Sequence, residues 1–332
     1  MGHDLQKFHG HGDEQLPAEI RHAALPALIV RTGEKGAYRF LEFFAAHIRN
    51  PNTRAAYYHD VCVFFAWCEK RRVQELADIR SAHIAGYIEQ LMNTHTPPSV
   101  KQHLAAIRML FNWLVVGQIV EHNPAAAVRG PRYVVKKGKT PVLLGDEARK
   151  LLDTISTDTL VGLRDRALVA LLVYTFARVS AAVHMNGEDV YIQGRRLWVR
   201  LHEKGGKEHT LPCHHELEHY LQAYIDAAGI ADEKGTPLFR SAMRRTGRLT
   251  ATRLHRIDAF RMVKRRARAA GILSPIGCHT FRATGITQYL LHGGKLEHAQ
   301  HMAAHESSRT TGLYDRRKDE ITLDEVERII LT

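Results

Sequence analysis

The sequence predicts a mainly α-helical chain with one small antiparallel β-sheet, and three observations carry that expectation. Apolar residues recur at three- and four-residue spacing through most of the chain, the period of a helix with one face turned to a core. The stretch from Val190 to Leu211 instead falls into short runs separated by glycine turns, as strands do. At 332 residues the chain exceeds the usual single-domain size, so two domains, each burying its own core, are the natural division.

Residues 1–34, opening MGHDLQKFHGHGDEQ, read as a polar leader, charged where a signal peptide would be apolar. Its His3, His9 and His11 form a loose tract to which no role is assigned. A helix spans Ala37 to Ile48, and Asn50-Pro51-Asn52 breaks it, with Asn52 placed to cap the next. That next helix, Thr53 to Arg71, carries Tyr57, Val61, Phe64, Phe65 and Cys68 on one face. Ser81 to Met92 gives a third helix, Pro97-Pro98 a break, and Ser99 to Gly117 a fourth with Leu104, Ile107, Phe111 and Leu114 aligned. Together they predict a helical bundle over 35–128.

Residues 129–141, RGPRYVVKKGKTP, set Arg129, Arg132, Lys136, Lys137 and Lys139 among glycine and proline. This is a linker, either simply solvated or laid along a phosphate backbone. A second domain over 142–320 opens with helices at Gly145 to Ile155 and Leu163 to Phe176. Strands at Val190 to Ile192, Arg196 to Leu201 and Glu208 to Leu211 follow, turning at Gln193-Gly194 and Gly205-Gly206. Helices return at His214 to Ala228, Ala251 to Ala270, Thr280 to His292 and Lys295 to Ala303. In the last segment, 321–332, Leu323, Val326, Ile329 and Ile330 line one helix face, which packs on its own domain or docks on a neighbouring protomer.

Forty-seven Lys and Arg against thirty-five Asp and Glu leave a net charge of +12, which favours a polyanionic partner, nucleic acid first. Cys62, Cys68, Cys213 and Cys278 include no C-x-x-C pair, which argues against a zinc knuckle or a disulfide scaffold and suits a reducing cytoplasm. No run is apolar for long enough to span a bilayer.

Charge is concentrated where chemistry could use it. Arg261, Lys264, Arg265, Arg266 and Arg268 crowd one helix beyond the ordinary alternation of signs, which favours a phosphate-facing surface. Lys204 and Lys207 flank a glycine hairpin tip. His279 and Arg282 share a face near the positive end of a helix, a good place to meet phosphate. His305 precedes Tyr314 by nine residues, with a small polar segment between. A competing motif, H-E-L-E-H, sets His215 and His219 one turn apart with Glu216 as general base, the pattern of a zinc hydrolase, which would still need a third ligand.

As an ordered set these residues resemble the tyrosine recombinase, or lambda-integrase, family. YTFARVSAAV is similar to its T-G-L-R-x-S-E-L box and supplies Arg178. HEKGGKEHTLP resembles the K-G-x-K-x-R-x-x-P signature and supplies Lys204; HTFRATGITQYLLHGG resembles the H-x-x-R box, with His279 and Arg282. AAHESSRTTGLY resembles G-H-x-x-x-x-T-T-x-x-Y, with His305 and Tyr314. NTRAAYYHDVCVFFAWC and SVKQHLAAIRMLFNWLVVGQIVEHNPA resemble the family's SAM-like core-binding domain. The resemblance runs over about 37–320 and departs at four places. Ala181 stands where the family has an acid three residues after the first arginine. Ala304 replaces a glycine, His209 an arginine, and Ala177 a bulkier residue.

The resemblance implies a site-specific recombinase that joins Tyr314 to DNA as a 3′-phosphotyrosine. Arg178 and Arg282 would clamp the phosphate, His305 would add a hydrogen bond, His279 would take the phenol proton, and Lys204 would protonate the leaving 5′ oxygen. No nucleotide cofactor is needed, because the phosphotyrosyl ester conserves the bond energy, and no metal is required where fixed arginine cations surround the phosphate. The implied partners are double-stranded DNA, further copies of the chain in a tetramer, and an accessory DNA-bending protein or partner recombinase. DNA contacts are expected from Arg132, Lys136, Lys137, Lys139, Lys207, Lys264, Arg265, Arg266 and Arg268. The alternatives are a DNA-binding relative weakened by the loss of the acid at Ala181, and a type IB topoisomerase-like nicking-closing enzyme.

Overall fold

The computed structural model describes residues 25–134, 138–203, 206–243 and 246–315, and the chain divides into two compact units after Val134. Residues 1–24 of the expected leader, Lys136 and Lys137 of the linker, Lys204 of the hairpin tip and the helix expected in 321–332 lie outside the described residues.

The first unit is helical: α1 Ala27–Val30, α2 Gly33–Glu42 continuing into a π-helical turn Phe43–His47, α3 Pro51–Glu69, α4 Ser81–Met92 and α5 Pro97–Val116. It begins earlier than the sequence suggests, since Leu25, Leu28 and Ile29, counted with the polar leader, are buried in its core. The cap of α3 is Asn50, not Asn52: its Oδ1 accepts from the amides of Asn52 at 3.0 Å and Thr53 at 3.1 Å, with Pro51 in the first turn. Pro97 and Pro98 begin α5 rather than break the chain before it, because the first turn of a helix has no use for their missing N–H groups. Phe40, Phe43, Phe44, Phe64, Phe65 and Phe111 fill the centre.

In the second unit, α6 Gly145–Thr154, α7 Leu160–Tyr174 and α8 Val179–His184 precede a meander of β1 Val190–Gln193, β2 Arg196–Glu203 and β3 Lys207–Pro212. The three strands pair antiparallel in chain order, with Val190 opposite Val199 and Glu203 opposite Lys207. Then come α9 His215–Ala228, a two-stranded sheet of β4 Arg240–Ala242 and β5 Leu249–Arg253, and helices α10 Arg256–Ala269, α11 Cys278–Leu291, α12 Leu296–Met302 and α13 Ser308–Gly312. The helix expected from Ala251 thus starts only at Arg256. Leu249–Arg253 is extended and pairs with β4, and His255 caps α10 by accepting from the Ile257 amide.

The apolar run of α7 is central, as its composition suggests: Ala167 to Leu172 are buried without interruption, and α9 and α11 pack on it. A smaller cluster of Phe176, Ala283, Ile286, Leu290, Ala299, Ala303 and Tyr314 joins α11 and α12 to the segment carrying Tyr314. Among the described residues no helix is long and apolar enough to cross a membrane.

Candidate active site

The first turn of α11 sends His279 and Arg282 in different directions. Arg282 points inward and is 1% exposed. Its Nη1 donates to the Phe176 carbonyl and its Nη2 to the Ala303 carbonyl, while Nε has no partner among the described residues. Both carbonyls belong to left-handed turns. Phe176 itself has φ 55° and Ala304, next after Ala303, has φ 46°. These values are costly for residues with a Cβ, so surrounding packing must hold them. Around Phe176 that packing depends on Gly285, where a Cβ would stand 2.1 Å from the Val173 carbonyl oxygen and 2.7 Å from the Phe176 ring.

His279 meets Tyr314, whose hydroxyl lies 2.6 Å from its Nε2. The phenol ring stacks on His305, with centroids 5.9 Å apart and planes 6° apart. His305 Nδ1 lies 2.9 Å from the hydroxyl of buried Thr311, and Thr287 donates to the Tyr314 carbonyl at 2.9 Å. The polar segment before Tyr314 is the short helix α13, whose turn brings His305 and Tyr314 together. Arg178, at the N-cap of α8, pairs through Nη1 with Glu203, the last residue of β2.

Burial, and after it the proximity of the arginines, shapes the acidities. Burial, then Arg282, Arg178 and His279, push the His305 imidazole down to about 3. His279 keeps part of its ring in solvent, yet desolvation by its neighbours, followed by Arg282 and Arg178, holds it below the usual histidine value. Burial raises the Tyr314 phenol, with Arg282 and Arg178 pulling the other way. Burial and Arg178 lower Arg282 to about 10, against the fields of Glu203 and Tyr314. The free site therefore holds two arginines, two neutral imidazoles and a protonated phenol, an arrangement suited to receiving an anion and a proton.

Arg178, His279, Arg282, His305 and Tyr314 thus gather in one site. His209, in the position of the family's arginine, donates from Nε2 to the Met302 carbonyl at 3.1 Å, and burial lowers its pKa. Lys207 pairs with Glu306 at 2.9 Å, with both side chains exposed. Arg132, Lys139, Lys264, Arg265 and Arg268 are also exposed. Arg266 departs from the expected phosphate-facing group, because its Nε and Nη2 bind Oδ2 of the fully buried Asp165 at 3.1 and 2.8 Å. Arg164 holds the other oxygen of that carboxylate.

The zinc-hydrolase pattern does not assemble. Glu216 is engaged by Arg149 at 3.0 Å and by the Tyr220 hydroxyl at 2.7 Å. Among the described residues no three His, Cys, Asp or Glu side chains are grouped to hold a metal ion. Sequence reasoning missed Glu203, Thr287 and Thr311. Glu203 left a signal, an acid beside Lys204 in a chain lacking one at 181, and so did Thr311, the second threonine of the T-T pair in AAHESSRTTGLY.

Residues 141–320 match the phage integrase family and residues 38–120 the phage integrase N-terminal SAM-like domain. The chain is 26% identical to a tyrosine recombinase of Pseudothermotoga lettingae, over 86% of this chain and 96% of that protein. It is 31% identical to the tyrosine recombinase XerC of Chlamydia muridarum, over 68% and 69%. Its fold is similar to that of the XerH recombinase in a post-cleavage complex with palindromic difH substrate. There the TM-score is 0.68 at 17% identity, over 96% of this chain and 89% of that one. A lambda integrase dimer bound to a COC' core site gives a TM-score of 0.64 at 19% identity, over 86% and 95%.

Proposed function

The chain belongs to the phage integrase family, and from that premise we propose that it is a site-specific recombinase that cuts and rejoins DNA through Tyr314. The observation that carries this reading is the Tyr314 hydroxyl held 2.6 Å from His279 Nε2 in a site shared with Arg178, Arg282 and His305. A phosphodiester repels nucleophiles through its own charge, so an attack on it needs fixed cations around the non-bridging oxygens. Arg178 and Arg282 supply them, and His305 adds a hydrogen bond.

As the Tyr314 oxygen bonds to phosphorus, its proton passes to Nε2 of His279, which is neutral and so able to take it. The bond to the 5′ oxygen breaks, and Lys204 delivers the proton that this oxygen needs. The resulting 3′-phosphotyrosine is attacked by a 5′ hydroxyl of the partner strand, which reverses the steps and reseals DNA without metal or ATP. Duplex DNA is the partner, held mainly through salt-sensitive phosphate contacts, with copies of the chain forming a tetramer around two sites. A cytoplasmic location, at the nucleoid when bound to DNA, goes with this reading.

The test is covalent trapping in EDTA on a pool of short nicked duplexes of randomised sequence, from which DNA linked to protein is recovered and sequenced. A denaturing gel should show an adduct with the wild-type chain and none with Tyr314→Phe. An adduct that survives this substitution, or that EDTA abolishes, overturns the reading. Relaxation of supercoils without any preferred sequence would favour the topoisomerase alternative.

A further inference from the structure

We propose that Glu203 is the positioning residue for Arg178, supplying from the end of β2 the carboxylate that α8 lacks at Ala181. This rests on the recombinase reading and concerns how its first arginine is held.

Arg178 sits at the N-cap of a six-residue helix, and its side chain is 35% exposed. Nothing in so short an element fixes the rotamer of a long, half-exposed side chain, and immobilising it costs entropy that an anchor must offset. Ala181, three residues on, is buried and offers only a methyl group. Glu203 has the opposite character. Its side chain is 3% exposed, and burying a carboxylate so far from water is costly unless it is paired with a cation. The cation it meets is Arg178, through Nη1.

One nitrogen of the guanidinium is thus committed to the anchor. The remaining donors stay in a fixed fork for a phosphate. The charge also serves the second arginine, since the Glu203 field favours the protonated form of Arg282, which Arg178 opposes. A neutral residue at 203 would remove the carboxylate field that offsets the repulsion of Arg282 by Arg178. Because Glu203 immediately precedes Lys204, the anchor further ties the first arginine to the strand that leads into the hairpin tip.

A purely structural role for Glu203 would not be restored by an acid placed elsewhere; a positioning role would. The experiment compares Glu203→Gln, Ala181→Glu and the double variant in the full chain, using duplexes recovered by covalent trapping. Two quantities are read: the single-turnover rate of adduct formation, and the rate at which phenylglyoxal modifies Arg178, located by peptide mass spectrometry.

Glu203→Gln should slow adduct formation by about 10- to 100-fold, the usual effect of removing a group that orients an active residue, with affinity for the duplex little changed. Arg178 should be modified faster. The double variant should recover most of the wild-type rate and protect Arg178 again. Wild-type behaviour of Glu203→Gln in both measurements, or a folded double variant as slow as Glu203→Gln, overturns the proposal. Should Glu203→Gln not fold, Glu203→Asp withdraws the charge by one methylene; slower cleavage with faster modification supports the anchor, and wild-type values of both overturn it. If the wild-type chain forms no adduct, the recombinase reading fails, while the Arg178 modification rates still decide the anchor.

Discussion

Tyr314 and His279 are joined before any substrate is present, with the phenol oxygen 2.6 Å from Nε2. Tyr314 is only 7% exposed, with its ring on His305 and its carbonyl held by Thr287. In the free protein the proposed nucleophile therefore sits beside the proposed base, in surroundings that keep the phenol protonated. A phosphate entering among Arg178 and Arg282 cancels part of the positive field that depresses both imidazoles. In the proposed reaction His279 would then gain affinity for a proton at the moment one has to be transferred.

Replacement of the base should accordingly separate chemistry from binding. Glutamine at 279 can still hydrogen-bond the phenol but cannot take its proton, so His279→Gln should slow adduct formation by roughly 10²- to 10⁴-fold. Affinity for the recovered duplex should stay close to wild type. Single-turnover trapping and a filter-binding titration measure the two quantities, and a parallel loss of both would assign His279 to DNA binding instead.

His305 makes stability depend on pH in a defined direction. Its folded pKa of about 3 lies below the ordinary value near 6.5, so between these limits the unfolded chain binds a proton that the folded site refuses. Stability is fully present above about pH 6.5 and falls as pH drops through that window, by about 1.4 kcal/mol per unit for one such group. His305→Gln removes this contribution. Between about pH 7 and pH 5 the Tm of the variant should fall less than that of the wild type, and equal slopes would mean that folded His305 accepts a proton like any exposed histidine.

Backbone strain beneath Arg282 gives a third expectation. Ala304 holds φ 46°, which a glycine adopts freely, and Ala304→Gly should raise stability by about 1 kcal/mol. Gly285→Ala should do the reverse, because the added methyl meets the Val173 carbonyl oxygen at 2.1 Å, a main-chain atom that cannot simply turn away. Urea denaturation of both variants reads these signs. A destabilised Ala304→Gly would show that loss of backbone freedom on folding outweighs the strain.

Most of the candidate site was legible because the residues that the structure brings together are marked by type and order: His279 and Arg282 one helical turn apart, and His305 nine residues before Tyr314. What holds these groups was far less legible. Glu203 and Arg178 are twenty-five residues apart on different elements, and nothing periodic marks their pairing. Asp165 hid inside an apolar helix, where its neighbours in sequence say nothing of Arg266 a hundred residues away. Element boundaries failed where local rules conflict. Thr250 and Thr252 favour a strand, yet the run from Ala251 also suits the amphipathic helix that follows, and pairing with Arg240–Ala242 decided for the strand.

The basic helix α10 should divide into two classes of arginine. Arg268 and Lys264 are exposed, and Arg265 has a side chain 60% exposed and 3.5 Å from Asp165, so each is open to a phosphate. Replacing Lys264 or Arg268 by alanine should leave Tm nearly unchanged. The slope of log affinity against log salt should become shallower by about 0.9 for each phosphate that the protein no longer neutralises. Arg266 is 21% exposed and makes two hydrogen bonds to a carboxylate with no exposure at all. Its removal leaves Asp165 to Arg164 and the more distant Arg265, at a cost of about 1–3 kcal/mol in stability, because a buried charge loses part of its compensation. Arg266→Ala should therefore lower Tm while leaving the salt slope of the folded protein unchanged. A reduced slope with an unaltered Tm would instead place Arg266 on the DNA and leave Arg164 alone sufficient for Asp165.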